Sequence, residues 1–539
     1  MQGLMMDYPL TIPSLLRRAE TLFQHKSIIT RLPDKSIHRY NYKEMISRCK
    51  KLGDALTAMG VGAGDRVATL CWNHYQHLEI YFAVPCRGAV LHALNLRLSE
   101  EDLEYIVNHA EDKVIFVDQV LLPLFEKFRH KIQVRQIIVI PNGQGPVPEG
   151  MLNYEELLSA GNERDFNYFE GDEKTAAALC YTSGTTGRPK GVLYSHRSIV
   201  LHSMAICFSL GEAFLERDIV LPVVPMFHVN AWGIPFLCTM LGITQVLPGP
   251  HLDPVSLLEL LEREHVTITA GVPTIWMGIL QTLDTHPGKY NLNDMRFLLV
   301  GGSTAPKAMI QGFEQRHSLK VIQAWGMTET SPLGSVSYIG SEQVSLPFEE
   351  QFTYRARQGK PAPFVEIRAL NENGIIPWDG KSMGELEVRG PWVAKAYYKS
   401  EADDEKFTAD GWFRTGDIVT IEPNGFIEIK DRSKDVIKSG GEWVSSVALE
   451  SSLMGHPAVL EAAVFAIPSS KWGERPMAVV VLKPHAETTE EELKASLATH
   501  FPKFWLPDVI EFVKEIPKTS VGKFKKSALR ELYHTRSGM

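Results

Sequence analysis

Short apolar, β-branched runs alternate with amphipathic helical patterns over much of this chain. The runs RVATL (66–70) and RFLLVGGS (296–303) are typical of buried strands, whereas SLLELLEREH (256–265) has apolar residues at helical spacing. Such alternation predicts parallel β-sheets that are covered by helices. Ligands of these sheets collect at the carboxyl ends of the strands, so VGGS (300–303) and QAWGMTE (323–329) are candidate parts of a binding site.

The pattern changes in the later part of the chain. Residues 384–430 contain short alternating strands separated by Gly turns, which predicts a small β subdomain. The polar segment DRSKDVIKSGGEW (431–443) follows, and we place a domain boundary near Lys434. The sequence thus predicts an α/β protein. Its large N-terminal domain over residues 1–433 would have parallel sheets covered by helices plus the β subdomain, and a small α+β C-terminal domain would occupy residues 434–539.

Length, charge and cysteine use narrow the possible functions. A chain of 539 residues is too long for one core, and a net charge of −8 argues against a nucleic-acid partner, which would need a basic face. None of the six cysteines forms a C-x-x-C pair, so a zinc site or a disulfide framework is not expected. The N-terminus lacks the pattern of a signal peptide, and we expect a cytoplasmic protein.

Residues 219–250 are unusually apolar and are therefore a candidate for a membrane span. Three prolines interrupt this stretch, however, and a spanning helix needs about 20 uninterrupted apolar residues. We predict instead a buried strand, a loop and a buried helix, with no transmembrane segment. His228 and Trp232 lie in the loop and are candidates to line a ligand pocket, although a lone histidine in an apolar run is more often a core residue.

The segment YTSGTTGRPKG (181–191) combines glycines, hydroxyl side chains and Lys190. Gly184 and Gly187 allow backbone N–H groups to turn toward one point, and the hydroxyls and the lysine add donors, which suits a polyphosphate. The spacing differs from that of the common phosphate loop, in which Gly, four residues and Gly-Lys-Ser/Thr follow one another. Taken alone, the segment also fits a flexible linker.

Four further segments offer chemistry, and each also has a plainer interpretation. Glu329 in QAWGMTE would face a triphosphate through Mg²⁺, because a bare carboxylate would repel the phosphates, but it also suits the start of a surface helix. Asp417 in TGD suits the two hydroxyls of a ribose or an ordinary turn. KSGGEW (438–443) admits a thin ligand or acts as a hinge. The lysines of PKTSVGKFKK (517–526) neutralise phosphoryl charge or form a solvated helix start.

In this order and spacing, the segments resemble the motifs of the adenylate-forming superfamily, which includes acyl-CoA synthetases, peptide-synthetase adenylation domains and beetle luciferase. The resemblance covers essentially the whole chain. YTSGTTGRPKG is similar to the phosphate loop, QAWGMTE to the adenine and metal motif, WFRTGD to the ribose motif, DRSKDVIKSGGEW to the hinge and PKTSVGK to the catalytic-lysine motif. Two departures concern the adenine contacts: Trp325 stands where many relatives have Tyr, and GEW replaces GEN.

The resemblance implies a set of site residues for ATP, Mg²⁺ and CoA. Catalysis would depend on Lys523, which stabilises the transferring α-phosphate, and on Glu329, which holds Mg²⁺ together with Thr182. The nucleotide and CoA contacts would come from Thr182, Ser183, Gly184, Thr185, Thr186, Gly187, Lys190, Gly302, Gln323, Ala324, Trp325, Thr328, Asp417, Lys434, Lys438, Gly440, Gly441, Trp443 and Lys526. The acyl pocket would be bordered by His228, Val229, Trp232, Gly326 and Pro332, with Trp232 as the gate of a fatty-acid tunnel.

The activity that the resemblance implies is that of an ATP-dependent acyl-CoA synthetase. Such an enzyme forms an acyl-AMP and pyrophosphate, and it then transfers the acyl group to CoA while a mobile C-terminal domain rotates about the residue that aligns with Lys434. PMFHVNAWG, GVPTIW and IKSGGEWVSS are similar to bacterial medium- and long-chain fatty acyl-CoA synthetases and equally to methylmercaptopropionate ligases. Of these two substrate classes, we expect a medium- or long-chain fatty acid.

Three alternatives stay open at this point. The substrate would be methylmercaptopropionate or another short-chain acid in the first, and a carrier protein would receive the acyl group in the second. In the third, the chain would be a non-catalytic nucleotide-binding regulator, but the presence of Lys523, Glu329 and Asp417 argues against this. By analogy with a relative, we expect a homodimer.

Overall fold

The computed structural model describes residues 1, 3–182, 188–400, 405–439, 442–469, 471–518 and 524–534. Within them the chain forms four β-sheets, two of which are large. The first strands are β1 Ser27–Arg31, β2 Ile37–Asn41, β3 Arg66–Leu70, β4 Val90–Ala93, β5 Asp112–Asp118, β6 Gln136–Ile140, β7 Leu152–Asn153, β8 Ala176–Tyr181 and β9 Gly191–Ser195. They continue with β10 Ile219–Pro222, β11 Thr244–Leu247, β12 Ile268–Gly271, β13 Phe297–Val300, β14 Val321–Gly326, β15 Leu333–Ser337 and β16 Lys360–Pro361.

The two large sheets are mainly parallel, as the sequence predicts. One has nine strands in the order β16-β15-β14-β13-β12-β10-β11-β1-β2, and only the pairs that involve β2, β15 or β16 are antiparallel. The other has seven strands in the order β7-β6-β5-β3-β4-β8-β9, with β9 antiparallel to β8. The carboxyl ends of β12, β13 and β14 therefore meet at one edge of the nine-stranded sheet.

Helices cover both faces of these sheets. They are α1 Ile12–Leu22, α2 Tyr42–Ala58, α3 Tyr75–Cys86, α4 Glu100–Ala110, α5 Leu122–Phe125, α6 Tyr154–Ala160, α7 His196–Ser209, α8 Ile234–Leu241, α9 Pro254–Arg263, α10 Pro273–Thr285, α11 Lys307–Gln311 and α12 Phe348–Arg355. The largest core cluster contains residues from both sheets and from α1, α2, α3, α7 and α8. Every residue of α3 after Tyr75 is buried, because this helix packs between the sheets.

The apolar stretch 219–250 forms β10, a loop, the buried helix α8 and β11, as predicted. Among the described residues, no helix has the length and apolar character that crossing a membrane requires.

The remaining chain forms two smaller sheets. The β subdomain predicted over residues 384–430 begins earlier, at Glu366, because two further strands join its sheet. It contains β17 Glu366–Asn371, β18 Gly374–Ile375, β19 Gly384–Arg389, β20 Phe413–Ile421 and β21 Ile427–Arg432, in the order β18-β17-β19-β20-β21. After it come β22 Ile437–Ser439, β23 Glu442–Val444, β24 Val459–Ser469, β25 Gly473–Leu482 and β26 Val509–Phe512. The last sheet is flanked by α13 Ser446–Met454, α14 Glu490–Ala498 and α15 Lys526–His534, which gives it the predicted α+β character.

Three buried histidines make the stability of the large sheets sensitive to acid. Burial lowers the pKa of His77 from 6.5 to about 3, that of His196 to about 4 and that of His202 to about 3. In the unfolded chain these rings bind protons once the pH falls below about 6.5, whereas the folded chain keeps them neutral. The unfolded state therefore binds more protons between pH 6.5 and pH 4, and stability is lost as the pH falls through this range.

We expect the variant His77→Gln to show a weaker pH dependence of stability than the wild type. At pH 5.5 one such histidine costs the wild type about 1.4 kcal/mol relative to pH 7.5, and the variant lacks this cost. Urea unfolding at the two pH values measures the difference. His130→Gln, at an exposed position, is the matched control and should keep the wild-type dependence. An unchanged pH dependence in His77→Gln would contradict the expectation.

Candidate active site

The predicted site residues converge on one cavity of about 870 Å³. It opens at the carboxyl ends of β12, β13 and β14, between the nine-stranded sheet, the β subdomain and the C-terminal α+β part. The predicted residues that line it are Thr182, Lys190, His228, Val229, Trp232, Gly302, Gln323, Ala324, Trp325, Gly326, Thr328, Glu329, Pro332, Asp417, Lys434 and Lys526. Segments that are far apart in the sequence thus form a single site.

Two predicted residues do not border this cavity. Lys438 is exposed on β22, and Trp443 lies on β23 of the same hairpin. The predictions for Ser183, Gly184, Thr185, Thr186, Gly187, Gly440, Gly441 and Lys523 lie outside the described residues.

The ends of the predicted phosphate loop are tied to each other. β8 and β9 pair up to Tyr181 and Gly191. Just beyond them, the Thr182 N–H donates to the Lys190 carbonyl over 2.9 Å, and the Lys190 N–H donates to Thr182 Oγ1 over 3.1 Å. The Lys190 ammonium lies 4.7 Å from the centre of the Tyr397 ring. A hydroxyl and a cation therefore stand together at the mouth of the loop.

Glu329 is held in a buried position directly after β14. It belongs to the short 3₁₀ segment Thr328–Thr330, and its side chain is 6% exposed. The Tyr397 hydroxyl donates to Glu329 Oε1 over 2.6 Å, and the Ala394 N–H donates to the Glu329 carbonyl over 2.7 Å. The Tyr194 hydroxyl fixes the preceding residue by donating to the Thr328 carbonyl. The carboxylate thus has a set position at the cavity wall.

Asp417 on β20 is the most heavily bound carboxylate of the cavity. It is 1% exposed, it forms an ion pair with Arg432 over 2.7 Å from Nε to Oδ1, and its Oδ2 accepts from Trp325 Nε1 over 3.1 Å. A carboxylate has about four acceptor directions, and these two bonds occupy only one on each oxygen. Asp417 therefore keeps capacity for two further donors, such as the adjacent hydroxyls of a ribose.

The aromatic ring predicted to stack on adenine is held by Asp417 and by a glycine. A Cβ at Gly334 would lie 2.3 Å from the Trp325 ring, so only glycine lets this ring lie against β15. The neighbouring Gln323 uses its side chain to brace the wall: Oε1 accepts from the Ala305 N–H over 2.6 Å, and Nε2 donates to the Arg357 carbonyl over 2.7 Å. The contact of Gln323 with adenine stays a prediction.

Trp232 lies on an unusual backbone turn at the apolar side of the cavity. Val229, Asn230, Ala231 and Trp232 have φ angles of 41°, 45°, 50° and 56°, which form a left-handed turn. This conformation costs L-residues about 1–2 kcal/mol each and is concentrated at ligand sites in proteins. The Trp232 ring packs against Gly301, where a Cβ would approach it to 3.0 Å.

Lys526 is already engaged by acidic groups. Its ammonium lies 2.7 Å from Glu450 Oε1 and donates to Ser446 Oγ over 2.5 Å. Burial alone would lower the pKa of Lys526, but the charges of Glu450 and Asp431 outweigh it and raise the pKa. Burial raises the pKa of Glu450 to about 7 and lowers that of Lys434. A ligand contact of Lys526 therefore requires exchange of these partners.

The sequence reasoning missed three residues of the site. Tyr397 binds Glu329, Arg432 binds Asp417, and His202 on α7 lines the cavity. Arg432 is the second residue of the hinge motif, so comparison of the motifs could have identified it. Tyr397 and His202 carry no local sequence signal, because only the fold brings them to the site.

Comparisons with known proteins agree with this geometry. The family described as AMP-binding enzyme matches residues 17–398, and the AMP-binding enzyme C-terminal domain matches residues 448–523. A long-chain-fatty-acid–CoA ligase of Thermus thermophilus is 50% identical over 536 residues, which are 99% of this chain and 97% of the relative. A 3-methylmercaptopropionyl-CoA ligase of Ruegeria pomeroyi is 42% identical over 539 residues and 99% of each chain.

Among solved structures, the crystal structure of an anthranilate CoA ligase in complex with anthranoyl-AMP has a TM-score of 0.89 and 25% identity, over 99% of each chain. The class that fold and site define is that of an adenylate-binding enzyme with two large sheets, a β subdomain and a small C-terminal part. The chain belongs to the AMP-binding enzyme family.

We expect Trp325→Phe to bind AMP about tenfold more weakly than the wild type. The phenyl ring keeps a stacking surface, but it removes the N–H donor that orients Asp417, and a hydrogen bond to a charged group contributes about 1.5–3 kcal/mol. Isothermal titration with AMP measures the affinity. Trp378→Phe makes the same change at an exposed residue away from the cavity and is the control. Equal AMP affinity in wild type and Trp325→Phe would contradict the role of this bond.

Proposed function

We propose that the protein is an AMP-forming acid–CoA ligase whose substrate is a medium- or long-chain fatty acid. One observation carries this proposal: the cavity that Asp417 and Glu329 line is also lined by Trp232 and by the buried apolar side chains of Ile206, Leu210 and Leu299. A polar nucleotide end and an apolar end in one continuous space suit a carboxylic acid with an apolar tail. The fatty-acid ligase from Thermus thermophilus, at 50% identity, supports the same substrate class.

The reaction has two steps. A carboxylate oxygen attacks the α-phosphorus of ATP, the bond to the β-phosphate oxygen breaks, and pyrophosphate leaves. The thiol of CoA then loses its proton and attacks the acyl carbon, and AMP leaves with the oxygen that joined it to the acyl group. No general base is needed in the first step, because the acid is ionised at pH 7. Positioning and neutralisation of phosphate charge supply the catalysis.

In the first step, the nucleotide contacts are those that the family motifs imply. Asp417 accepts the ribose hydroxyls, and the Trp325 ring stacks on adenine. The loop between Thr182 and Lys190 binds the β- and γ-phosphates, and Lys523 stabilises the charge on the α-phosphoryl oxygens.

Mg²⁺ fits the donors that the cavity offers. The Glu329 carboxylate and the Thr182 hydroxyl both line the cavity, and oxygen ligands of this kind, completed by phosphates and waters, are what Mg²⁺ prefers. When bound, the ion supplies positive charge to the phosphates. Tyr397 keeps the carboxylate in place by its 2.6 Å hydrogen bond. Glu329 and Thr182 would hold the metal from opposite walls of the phosphate site.

The second step depends on movement of the C-terminal part about Lys434. β21 ends at Arg432 and β22 begins at Ile437, so Lys434 lies in the short link between two sheets, which supports a boundary between residues 433 and 434. Rotation about this link would bring the hairpin of Lys438 and Trp443, which lies away from the cavity in this structure, to the site of thioester formation. Gly440 and Gly441 would then leave room for the pantetheine arm of CoA.

A short thioether acid is the second candidate substrate. The methylmercaptopropionyl-CoA ligase from Ruegeria pomeroyi is 42% identical to this chain, which is less than the 50% of the Thermus thermophilus enzyme. The buried apolar extension beyond Trp232 favours the longer acid, because each methylene that it buries stabilises the complex by about 0.8 kcal/mol.

The proposal includes a cytoplasmic location and a homodimer. All six cysteines are free thiols, and five are buried, as is common in a reducing compartment. The homodimer is proposed by analogy, and sedimentation equilibrium measures it directly.

The acid preference tests the proposal. We expect CoA-dependent formation of AMP, with Mg-ATP and straight-chain acids from acetate to palmitate, to show the highest kcat/KM at about eight carbons or more, since the apolar extension rewards added methylenes. Methylmercaptopropionate is measured beside this series. A maximum at short acids, with methylmercaptopropionate above octanoate, would replace the fatty-acid assignment by the thioether-acid assignment.

Lys523→Ala should separate the two half-reactions. We expect adenylation to fall by at least about a hundredfold, because a charge that acts on the transferring phosphoryl group is lost. Thioester formation from supplied acyl-AMP and CoA should stay within a few-fold of the wild type. Lys525→Ala, two residues away, is the control and should leave both steps unchanged. Equal losses of Lys523→Ala in both half-reactions would contradict the proposed role.

A further inference from the structure

One face of α7 forms a wall of the apolar side of the cavity. His202, Ile206 and Leu210 line it at intervals of four residues, and this spacing places them on one helix face. At about 1.5 Å rise per residue, the three side chains cover about 12 Å of the cavity. Ile206 and Leu210 are apolar and almost fully buried. His202 is the polar member of the stripe.

The hydrogen bonds of His202 fix which ring nitrogen carries the proton. The Leu333 N–H donates to His202 Nε2 over 3.2 Å, so this nitrogen is the acceptor. Leu333 is itself held, because Trp392 Nε1 donates to its carbonyl over 2.8 Å. Burial lowers the pKa of His202 to about 3, and the ring is neutral at pH 7. The proton therefore lies on Nδ1.

The Nδ1–H group is a buried donor without an acceptor among the described residues. The side chain is 1% exposed, and its ring borders the cavity. The Gly233 backbone packs beside this nitrogen, and a Cβ at residue 233 would lie 2.7 Å from Nδ1, so this close approach requires glycine. Buried donors are almost always paired in native proteins, and an unpaired one at a cavity wall indicates a partner that is bound there.

His202 lies close to the carboxyl end of the acyl site. Its hydrogen-bond partner Leu333 directly follows Pro332 in the sequence. The Pro332 carbonyl oxygen packs closely on Gly326, since a Cβ at residue 326 would lie 1.8 Å from this oxygen. Gly326 and Pro332 are predicted borders of the acyl pocket, and Thr328, two residues after Gly326, is the residue predicted to lie near the α-phosphate. Ile206 lies one turn further along α7, and Leu210 is the capping residue that directly follows the helix. The cavity is thus polar at the first carbons of the acid and apolar along its tail.

We propose that His202 is a specificity-determining residue whose Nδ1–H donates a hydrogen bond to an acceptor oxygen on one of the first carbons of the acyl group. The substrate class is then a medium-chain acid with an oxygen close to the carboxylate, such as a 3-hydroxy acid, and its tail lies along Ile206 and Leu210. Oxygen is the fitting acceptor, since a thioether sulfur accepts hydrogen bonds only weakly. This inference rests on the proposed acid–CoA ligase function and specifies its substrate.

The test compares octanoate with each enantiomer of 3-hydroxyoctanoate in CoA-dependent AMP formation. For the wild type we expect the better enantiomer to have a higher kcat/KM than octanoate. In His202→Leu, the ratio of the two kcat/KM values should fall at least about fivefold, because the hydroxyl then enters a site without a donor. Octanoate activity of the same variant is the internal reference for this ratio, so a general loss of activity does not count as a loss of preference for the hydroxy acid. His202→Gln, which keeps both a donor and an acceptor, should restore part of the ratio.

Ile206→Leu is the matched control on the same helix face. It should change the preference for chain length and leave the ratio of hydroxy acid to unsubstituted acid unchanged. The inference is overturned if His202→Leu keeps the wild-type ratio. It is also overturned, without any variant, if the kcat/KM of the wild type for octanoate is at least about fivefold higher than that for either enantiomer. A wild type that forms no AMP with any of the three acids would instead refute the ligase function.

Discussion

The site depends on one buried carboxylate, that of Asp417. It receives a hydrogen bond from Trp325 at the end of β14 and an ion pair from Arg432 at the end of β21. These bonds connect the nine-stranded sheet to the β subdomain at the residue that directly precedes the hinge. A buried carboxylate is stable only when donors surround it. Each of its oxygens has one of these partners and keeps capacity for a second donor, so the group that joins the sheets is also the one we propose as the anchor of a ribose.

The polar and apolar ends of the cavity are built by different means. The polar end is made of strand ends and short turns, which place Glu329, Thr182 and Asp417 in the lining of one cavity. The apolar end is made of helix faces and of the left-handed turn from Val229 to Trp232. The turn places a large indole ring between the two ends. A substrate with a charged head and an apolar tail matches this division.

Much of the fold could be predicted from the sequence. Apolar runs that alternate with helical patterns identified the parallel sheets, and Gly-separated alternating strands identified the β subdomain, because burial on both faces and burial on one face leave different patterns. The predicted site residues with a motif behind them, such as Asp417 and Glu329, line the cavity. The motifs revealed them because the chemistry of phosphates and ribose demands particular residue types in short loops.

Other features could not be predicted, for physical reasons. Tyr397 and His202 belong to segments without a recognisable motif. Only tertiary packing shows that both line the cavity and that the Tyr397 hydroxyl binds Glu329. The ion pair of Lys526 with Glu450 joins residues that are distant in sequence and gives the lysine a partner that composition does not reveal. Lys438 and Trp443 lie on the hairpin of β22 and β23, outside the cavity lining, and the position of this hairpin depends on tertiary packing, which a sequence pattern does not encode.

The formation of an enzyme-bound acyl-adenylate is the central claim. Exchange of labelled pyrophosphate into ATP, measured with octanoate and Mg²⁺ in the absence of CoA, tests it most directly. Reversal of the first step requires only the acid, ATP, pyrophosphate and the metal, so we predict exchange that depends strictly on the acid. Formation of AMP that requires CoA, without any acid-dependent exchange in its absence, would contradict the two-step reaction and the role of the cavity as an adenylate site.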